Sequence, residues 1–285
     1  MTHVTLSSHK SLLVLAPETG GGIVRLRLDG REILRSPAND PPDDPLRLGE
    51  FPMAPWVNRV AGGVFVWNGR RIDLSDGPSG DPQGLHGVCW RMPWTLLDRD
   101  ASAAALEISW PGGRGWPFPF LLTRRFAVSA EDLTISASLT NTGTEPMPFA
   151  IGFHPYFPSE CALLRAEVRA RWTTDATGIP ACLAADDAVG QLSAGLRIAD
   201  ADLDSCFTDW NGSASIRWPD YTLRLSTEPP LRFLQVYSPP AAGFFCLEPQ
   251  SAMPDAFNHE PSSGGAAVLE SAQTYTVRLT LALEP

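Results

Sequence analysis

The chain holds 285 residues with 22 Lys and Arg against 32 Asp and Glu, a formal charge of −10. Such an acid excess leaves no cationic surface to displace counterions, which excludes nucleic acid and anionic membrane as partners. Five scattered cysteines, Cys89, Cys161, Cys182, Cys206 and Cys246, include no CxxC pair, which speaks against a disulfide framework or zinc knuckle and for a reducing compartment.

Short alternating or apolar runs follow one another at 4–6, 11–15, 23–28, 64–67, 105–110, 121–128, 133–139, 163–168, 215–218, 222–225, 233–237, 243–247 and 274–283. Their brevity, a period near two and the Gly, Pro, Asn and Asp between them predict strands in antiparallel sheets. Within Trp67-Asn68-Gly69-Arg70, Asn-Gly suits the positive φ angles of a type I′ turn, so 64–67 should pair with 70–74. With 27 prolines and 24 glycines spread throughout, no stretch sustains a helical period. The absence of an internal repeat favours large packed sheets over a propeller. We therefore expect an all-β protein, a large antiparallel β-sandwich forming a single domain over residues 1–285. Residues 36–50 and 249–265 read as long ordered loops of the kind that rim a binding site. The apolar stretch 12–16 is too short for a secretory core and no run approaches a membrane span, so the expected location is cytoplasmic.

Ionisable residues stand at informative places. Ala150-Ile151-Gly152-Phe153-His154-Pro155-Tyr156-Phe157 leads an apolar strand into His154, where proline removes a ladder donor and should end the pairing. Gly243-Phe244-Phe245-Cys246-Leu247-Glu248-Pro249-Gln250 repeats that grammar, and burial at the end of so apolar a strand should raise the Glu248 pKa unless an arginine pairs with it. His86 sits between turn-permitting glycines in Gly84-Leu85-His86-Gly87, either as a surface turn residue or as a site residue. Asn58 and Arg59 lie among apolar residues and prolines. Arg59 must be paired there, holding an acid in place or donating to a ligand hydroxyl. Asp204 accepts hydrogen bonds from a ligand or caps a turn. Trp56 and Trp90, adjacent to these residues, are the tryptophans best placed to stack on a flat, hydroxyl-rich ligand.

Together these segments resemble the aldose 1-epimerase (mutarotase) family. The matching pieces are Asn58-Arg59 with Ala61-Gly62-Gly63-Val64-Phe65 and the Asn68-Gly69 hairpin, then Leu85-His86-Gly87, then Gly152 to Phe157. Leu203-Asp204 with Phe207 follows, then Glu248-Pro249-Gln250 with Pro254-Asp255-Ala256 and Asn258, all in family order. The resemblance implies a galactose mutarotase-like supersandwich of unusually large sheets, an open sugar cleft, no cofactor and no metal, in a monomer or homodimer. It implies Glu248 as the base that takes the anomeric hydroxyl proton and His154 as the acid that protonates the ring oxygen. It implies His86, Arg59, Asp204 and Asn58 as sugar-binding residues. An acid and a base on opposite sides of one sugar ring suffice for such chemistry, with His154 cationic or proton-sharing and Glu248 anionic.

The segment Met53-Ala54-Pro55-Trp56-Val57 and the run Gly87-Val88-Cys89-Trp90 depart from the galactose-directed pattern, which leaves the choice of aldose open. Three other readings remain. A hexose-6-phosphate 1-epimerase would need arginines for the phosphate, with Arg91, Arg114, Arg124 and Arg125 available. A noncatalytic sugar-binding protein of the same fold should have lost the acid or the base. A metal enzyme would use His86, His154 and Glu248 as ligands.

Overall fold

The computed structural model describes residues 3–37 and 44–284. Two large sheets dominate. The first runs, from edge to edge, Leu196–Arg197, Leu163–Ala166, Ser213–Arg217, Thr222–Glu228, Thr274–Leu283, Asp132–Asn141, Phe120–Val128, Ala103–Trp110 and Thr95–Arg99. The second runs Pro180–Ala184, Ala170–Thr174, Leu203–Thr208, Phe233–Ser238, Phe244–Gln250, Gly152–Phe153 and Pro52–Met53, with Tyr156–Pro158 also paired to Phe244–Gln250. A four-stranded sheet, Val4–Ser8, Ser11–Ala16, Gly22–Leu28 and Arg31–Glu32, lies at the N-terminus. The strand pairs in these sheets are antiparallel, as the short alternating runs require. The Asn68-Gly69 turn takes φ values of 49° and 77°, and Val64–Trp67 pairs with Arg70–Asp73 in the expected register.

Alternation decides which side chains meet between the sheets. In Asp132–Asn141 every second residue is buried, and Leu133, Ile135 and Leu139 point to the same core as Leu122, Leu279 and Leu281. From the second sheet that core takes Phe207, Leu234, Val236, Phe245 and Leu247. Their strand neighbours Cys206, Phe233 and Cys246 project to the other face, against a second apolar cluster with Phe51, Trp90 and Met253. Phe244–Gln250 is therefore buried on both faces, which explains why it reads as a continuous apolar run rather than an alternating one.

One ion pair lies wholly inside. Arg124, on Phe120–Val128, donates to both oxygens of Glu50 at 2.6 and 2.7 Å and to the Gly21 carbonyl at 3.0 Å; both side chains are fully buried. Both contacts to Glu50 come from Nη2, and with the Gly21 bond they offset part of the desolvation of such a pair, while loss of either partner would strand a buried charge. It ties the first sheet to the segment that continues into Phe51. Among the described residues, α-helix is limited to Asp187–Ala194, N-capped by Asp186, and the single turn Pro261–Gly264, beside five short 3-10 turns. No helix among the described residues is long and apolar enough to cross a membrane.

Candidate active site

The two strand-then-proline segments meet. Gly152 pairs with Gln250 and Tyr156 with Cys246, and the same register carried across the interruption between them sets His154 opposite Glu248. Pro155 and Pro249 supply no donors at this point, so the ladder opens where the two ionisable side chains face each other. His154 Nε2 stands 3.3 Å from Glu248 Oε1. The sequence expectation is corrected in one respect: Pro249 does not end its strand, which continues to Gln250, and Glu248 lies inside the strand. A second correction follows from the contact itself. No sugar ring passes between groups 3.3 Å apart, so the pair addresses a ligand from one side instead of from opposite sides.

Around the pair lies a cavity of about 210 Å³ lined by Leu46, Asn58, Arg59, Leu85, His86, His154, Tyr156, Asp204, Gln235, Tyr237 and Glu248. All six residues singled out in the sequence thus reach one cavity. Its volume is below the ~300–1,000 Å³ of pockets for drug-sized ligands and suits a single sugar ring. A larger cleft of about 500 Å³, bordered by Cys161, Arg197, Arg217 and Trp218, brings no acid and base into contact.

Each side chain is held by its own element. The His154 amide donates to the Phe51 carbonyl at 3.1 Å, and the imidazole stacks with Phe51 at 4.4 Å and with Tyr156 at 4.7 Å. His86 takes a φ of 59° and donates its amide to the Asn58 carbonyl at 2.9 Å; its ring meets that of His154 edge-on at 4.9 Å. Gly87 follows at φ 79°, where a Cβ would lie 2.0 Å from the Ala54 carbonyl oxygen, so glycine alone fits. Trp90 closes this loop by donating to the Leu85 carbonyl at 3.0 Å. Trp56 and Trp90 are buried, so they brace the loop and offer no face to a sugar; Tyr156 and Tyr237 are the aromatic residues of the cavity wall.

Asn58 lines the cavity while its Oδ1 accepts the Arg59 amide at 2.9 Å, so its side chain shapes the turn. Asp255, in the second loop read from the sequence, donates its amide to the Arg59 carbonyl at 2.7 Å and accepts from Ala61 at 2.8 Å. Of the first loop, residues 38–43 lie outside the described residues; Leu46 brings its remainder to the cavity mouth. The Arg59 guanidinium is only half buried and forms no ion pair among the described residues, so of the two expected roles it does not hold an acid in place, and donation to a ligand hydroxyl stays open. Gly178, in the turn between Ala170–Thr174 and Pro180–Ala184, lies beside it. Asp204 is on the strand Leu203–Thr208, not in a turn, and accepts from Gln235 Nε2 at 2.6 Å. Gln250 Nε2 donates to Glu248 Oε2 at 3.1 Å.

Gln235 and Gln250 escape sequence reasoning. Their signal is an amide within an apolar strand, a buried polar group that needs a partner. Gln235 Oε1, Gln250 Oε1, His86 Nδ1 and His154 Nδ1 are buried without a protein partner.

Electrostatics reverses the expected charges of the empty site. Burial, with Arg35 adding to it, pushes His154 down to about 3. Burial, then the Asp204 carboxylate, pushes Glu248 well above its ordinary value against the opposing Gln250 bond and Arg59. Burial and the neighbouring His154 and Arg59 put His86 well below 6.5. Both shifts run the same way, favouring a protonated Glu248 carboxyl beside a neutral His154 imidazole. Cys246, not His86, supplies the third atom close to His154 and Glu248, within 4.8 Å. Burial and Glu248 push its thiol well above 9.0, which keeps it protonated and makes it a poor ligand.

The chain matches the aldose 1-epimerase family over residues 2–282. It is 30% identical over 300 residues to the uncharacterized protein YphB of Escherichia coli K12, covering 100% of this chain and 99% of the relative. A crystal structure from Escherichia coli K12, provisionally named an aldose 1-epimerase, superposes with a TM-score of 0.88 at 27% identity, covering 99% of each chain. A galactose mutarotase-like protein from Clostridium acetobutylicum gives 0.87 at 19% identity, covering 99% of this chain and 95% of the other, and shares the fold.

Proposed function

Because this chain belongs to the aldose 1-epimerase family, we propose that its pocket interconverts the α and β anomers of a free aldose by proton exchange with Glu248 and His154. The observation that carries this reading is the 3.3 Å contact between His154 Nε2 and Glu248 Oε1 on the wall of a sugar-sized cavity. The anomeric hydroxyl and the ring oxygen are both bonded to C1, so a base and an acid in contact with each other can reach both.

One proton serves the pair throughout. When a cyclic sugar binds, the proton moves from Glu248 to His154; the resulting carboxylate accepts a hydrogen bond from the anomeric hydroxyl, and Arg59 favours its charge. Glu248 then takes the hydroxyl proton while His154 delivers its own to the ring oxygen, and the C1 to ring-oxygen bond breaks. The pair is left as neutral Glu248 and neutral His154, the state favoured in the empty pocket. Rotation about the C1–C2 bond presents the other face of the aldehyde. Closure follows as the former ring hydroxyl attacks C1, His154 takes its proton and Glu248 returns one to the carbonyl oxygen. Proton transfers of this kind contribute ~10²–10⁴-fold each.

Arg59, Asp204, His86 and Gln235 hold the hydroxyls. The unpartnered His86 Nδ1 and Gln235 Oε1 support this, since buried polar atoms seek partners. A phosphorylated sugar fits less well. Of the four arginines considered for a phosphate, none lines the cavity: Arg124 is bound to Glu50, Arg125 faces Asp98, and Arg91 packs on Trp90. In the cavity itself the Asp204 carboxyl shares the wall with Arg59, which leaves no arginine cluster to receive a dianion. We read residues 1–285 as one domain, supported by a core that draws on both large sheets, and place it in the cytoplasm, supported by five unbridged cysteines.

The test is polarimetry or NMR on purified single anomers of several aldoses and one hexose 6-phosphate, before and after chelation. Acceleration of free-aldose anomerisation that Glu248→Gln and His154→Ala abolish supports the assignment. A Glu248→Gln enzyme with near wild-type turnover refutes it.

A further inference from the structure

Arg35 touches neither the cavity nor the reacting pair, yet three of its contacts converge on them. Its guanidinium packs on the Tyr156 ring at 3.8 Å and on Phe244 at 4.6 Å. The same group donates to the Leu46 and Leu48 carbonyls, at 2.5 and 2.8 Å, and so holds the segment whose Leu46 lies at the cavity mouth. The Arg35 amide donates to the Tyr156 carbonyl at 2.8 Å. Tyr156 in turn stacks with His154 at 4.7 Å and an interplanar angle of 21°.

We propose that Arg35 is a positioning residue: by gripping Tyr156 and the mouth segment together, it fixes the plane of His154 and holds a cation one ring away from the imidazole. The proposal rests on the anomerase reading above. A planar fork can stack on a ring and reach two carbonyls at once, which the point charge of lysine cannot.

Other charged and titratable groups around His154 do not duplicate this role. Glu248 and Cys246 face it from Phe244–Gln250, His86 from the Gly84–Gly87 turn, and Tyr156 from the strand that follows; Arg59 and Asp204 stand across the cavity. Among these, Arg59 bears on Glu248 and His86, whereas Arg35 is the cation that bears on His154. Arg91 supplies an internal comparison. It packs on Trp90 at 4.1 Å, and Trp90 reaches His154 through Phe51 or His86, so its charge is one ring more remote.

The experiment compares Arg35→Met, Arg35→Lys and Arg91→Met in the full chain. It measures kcat, KM, the pH profile of kcat/KM, thermal stability, and the ¹⁵N shifts of the His154 ring through a titration from neutral pH down to about pH 3 without sugar. A unit charge this close, at an effective dielectric of about 20, moves an ionisation by about one pH unit. Removing it makes His154 easier to protonate. Arg35→Met should raise the acid limb by about one pH unit, lower kcat about ten-fold, and move the ring shifts toward imidazolium. Arg35→Lys should keep the acid limb while losing kcat, because charge survives and the grip does not. Arg91→Met should stay within two-fold of wild type.

An unmoved acid limb and unmoved ring shifts in Arg35→Met, even with a lower melting temperature, overturn the proposal and leave Arg35 a packing residue. Equal effects from Arg91→Met overturn it too. If the wild type anomerises no aldose but the ring shifts respond as stated, the functional reading fails while the link from Arg35 to His154 stands.

Discussion

Glu248→Gln should abolish activity and make the folded protein more stable, increasingly so as the pH rises. Glu248 is 2% exposed, and its folded pKa lies well above 4.5 because of burial and Asp204. A carboxyl group raised in this way contributes its full stability below the unfolded value near 4.5, and that contribution is lost as pH climbs toward the folded value. Each pH unit in the interval is worth about 1.4 kcal/mol. Glutamine is isosteric with the protonated acid and does not titrate; its carbonyl can accept from Gln250 and its amide can donate to neutral His154. Variant and wild type should therefore be equally stable near pH 4.5. Above that pH the variant should gain on the wild type by about 1.4 kcal/mol for each pH unit up to the folded value of Glu248, and its Tm should rise accordingly. Urea unfolding of both proteins at pH 5, 6.5 and 8 reads this difference, and anomerisation rates should fall by at least ~10²-fold. A stability difference that stays flat with pH, or a variant less stable at pH 8, would show that Glu248 ionises normally, and the account of the pair would fail.

The buried histidines act at the other end of the pH scale. Since His154 is held down to about 3 and His86 well below 6.5, the unfolded chain binds protons that the folded one refuses, and acidification from pH 6.5 should cost about 1.4 kcal/mol per unit for each. His154→Phe should remove one proton's worth of that slope in urea titrations. At Gly87, alanine would place its Cβ against the Ala54 carbonyl at a φ of 79°; more than ten-fold loss of activity is expected, while Gly62→Ala, at φ 60° with open space, should cost only about 1 kcal/mol of stability. Glu50→Gln or Arg124→Met should each cost about 3–5 kcal/mol by leaving one buried partner alone, and the double substitution with Glu50→Met should cost less than either, as a thermodynamic cycle will show.

Much of the sheet architecture is legible because one-sided burial writes a period of two into strands such as Asp132–Asn141 and Thr222–Glu228. Thr95–Arg99 leaves no such trace, since this edge strand is exposed along its whole length and nothing selects one face. The hairpin of Ala170–Thr174 and Pro180–Ala184, also at an edge, is hidden for a related reason. Asp187–Ala194 is too short to establish a helical period, although Asp186 marks its start. At the site, His154 and Glu248 announce themselves through the prolines beside them. What the chain does not display is their contact, because register between segments nearly a hundred residues apart belongs to the sheet. The raised pKa of Glu248 is foreshadowed by its apolar run, whereas the lowering of His154 is hidden: it follows from burial and from Arg35, which only the tertiary packing brings near.

The anchoring of these residues bears on how the site works. His86 hangs from Asn58, His154 from Phe51, and the Arg59 backbone from Asp255, whereas Glu248 sits in a strand paired on both sides. Phe51 is in turn secured through neighbouring Glu50 to Arg124 in the opposite sheet. Every reactive side chain is thus fixed by the scaffold before a ligand arrives, so the ordering cost of the catalytic geometry is met on folding. In the proposed mechanism, binding then has one electrostatic task, moving a proton from Glu248 to His154 across 3.3 Å. Hydroxyls that donate to Glu248 favour that shift, and water in an empty cavity need not. A sugar lacking the anomeric hydroxyl, a 1-deoxy analogue, should therefore bind while leaving the His154 ring neutral, and an intact aldose should shift it toward imidazolium. Equal His154 shifts with both ligands would mean that cavity filling alone moves the proton, and the anomeric hydroxyl would lose its place in the argument.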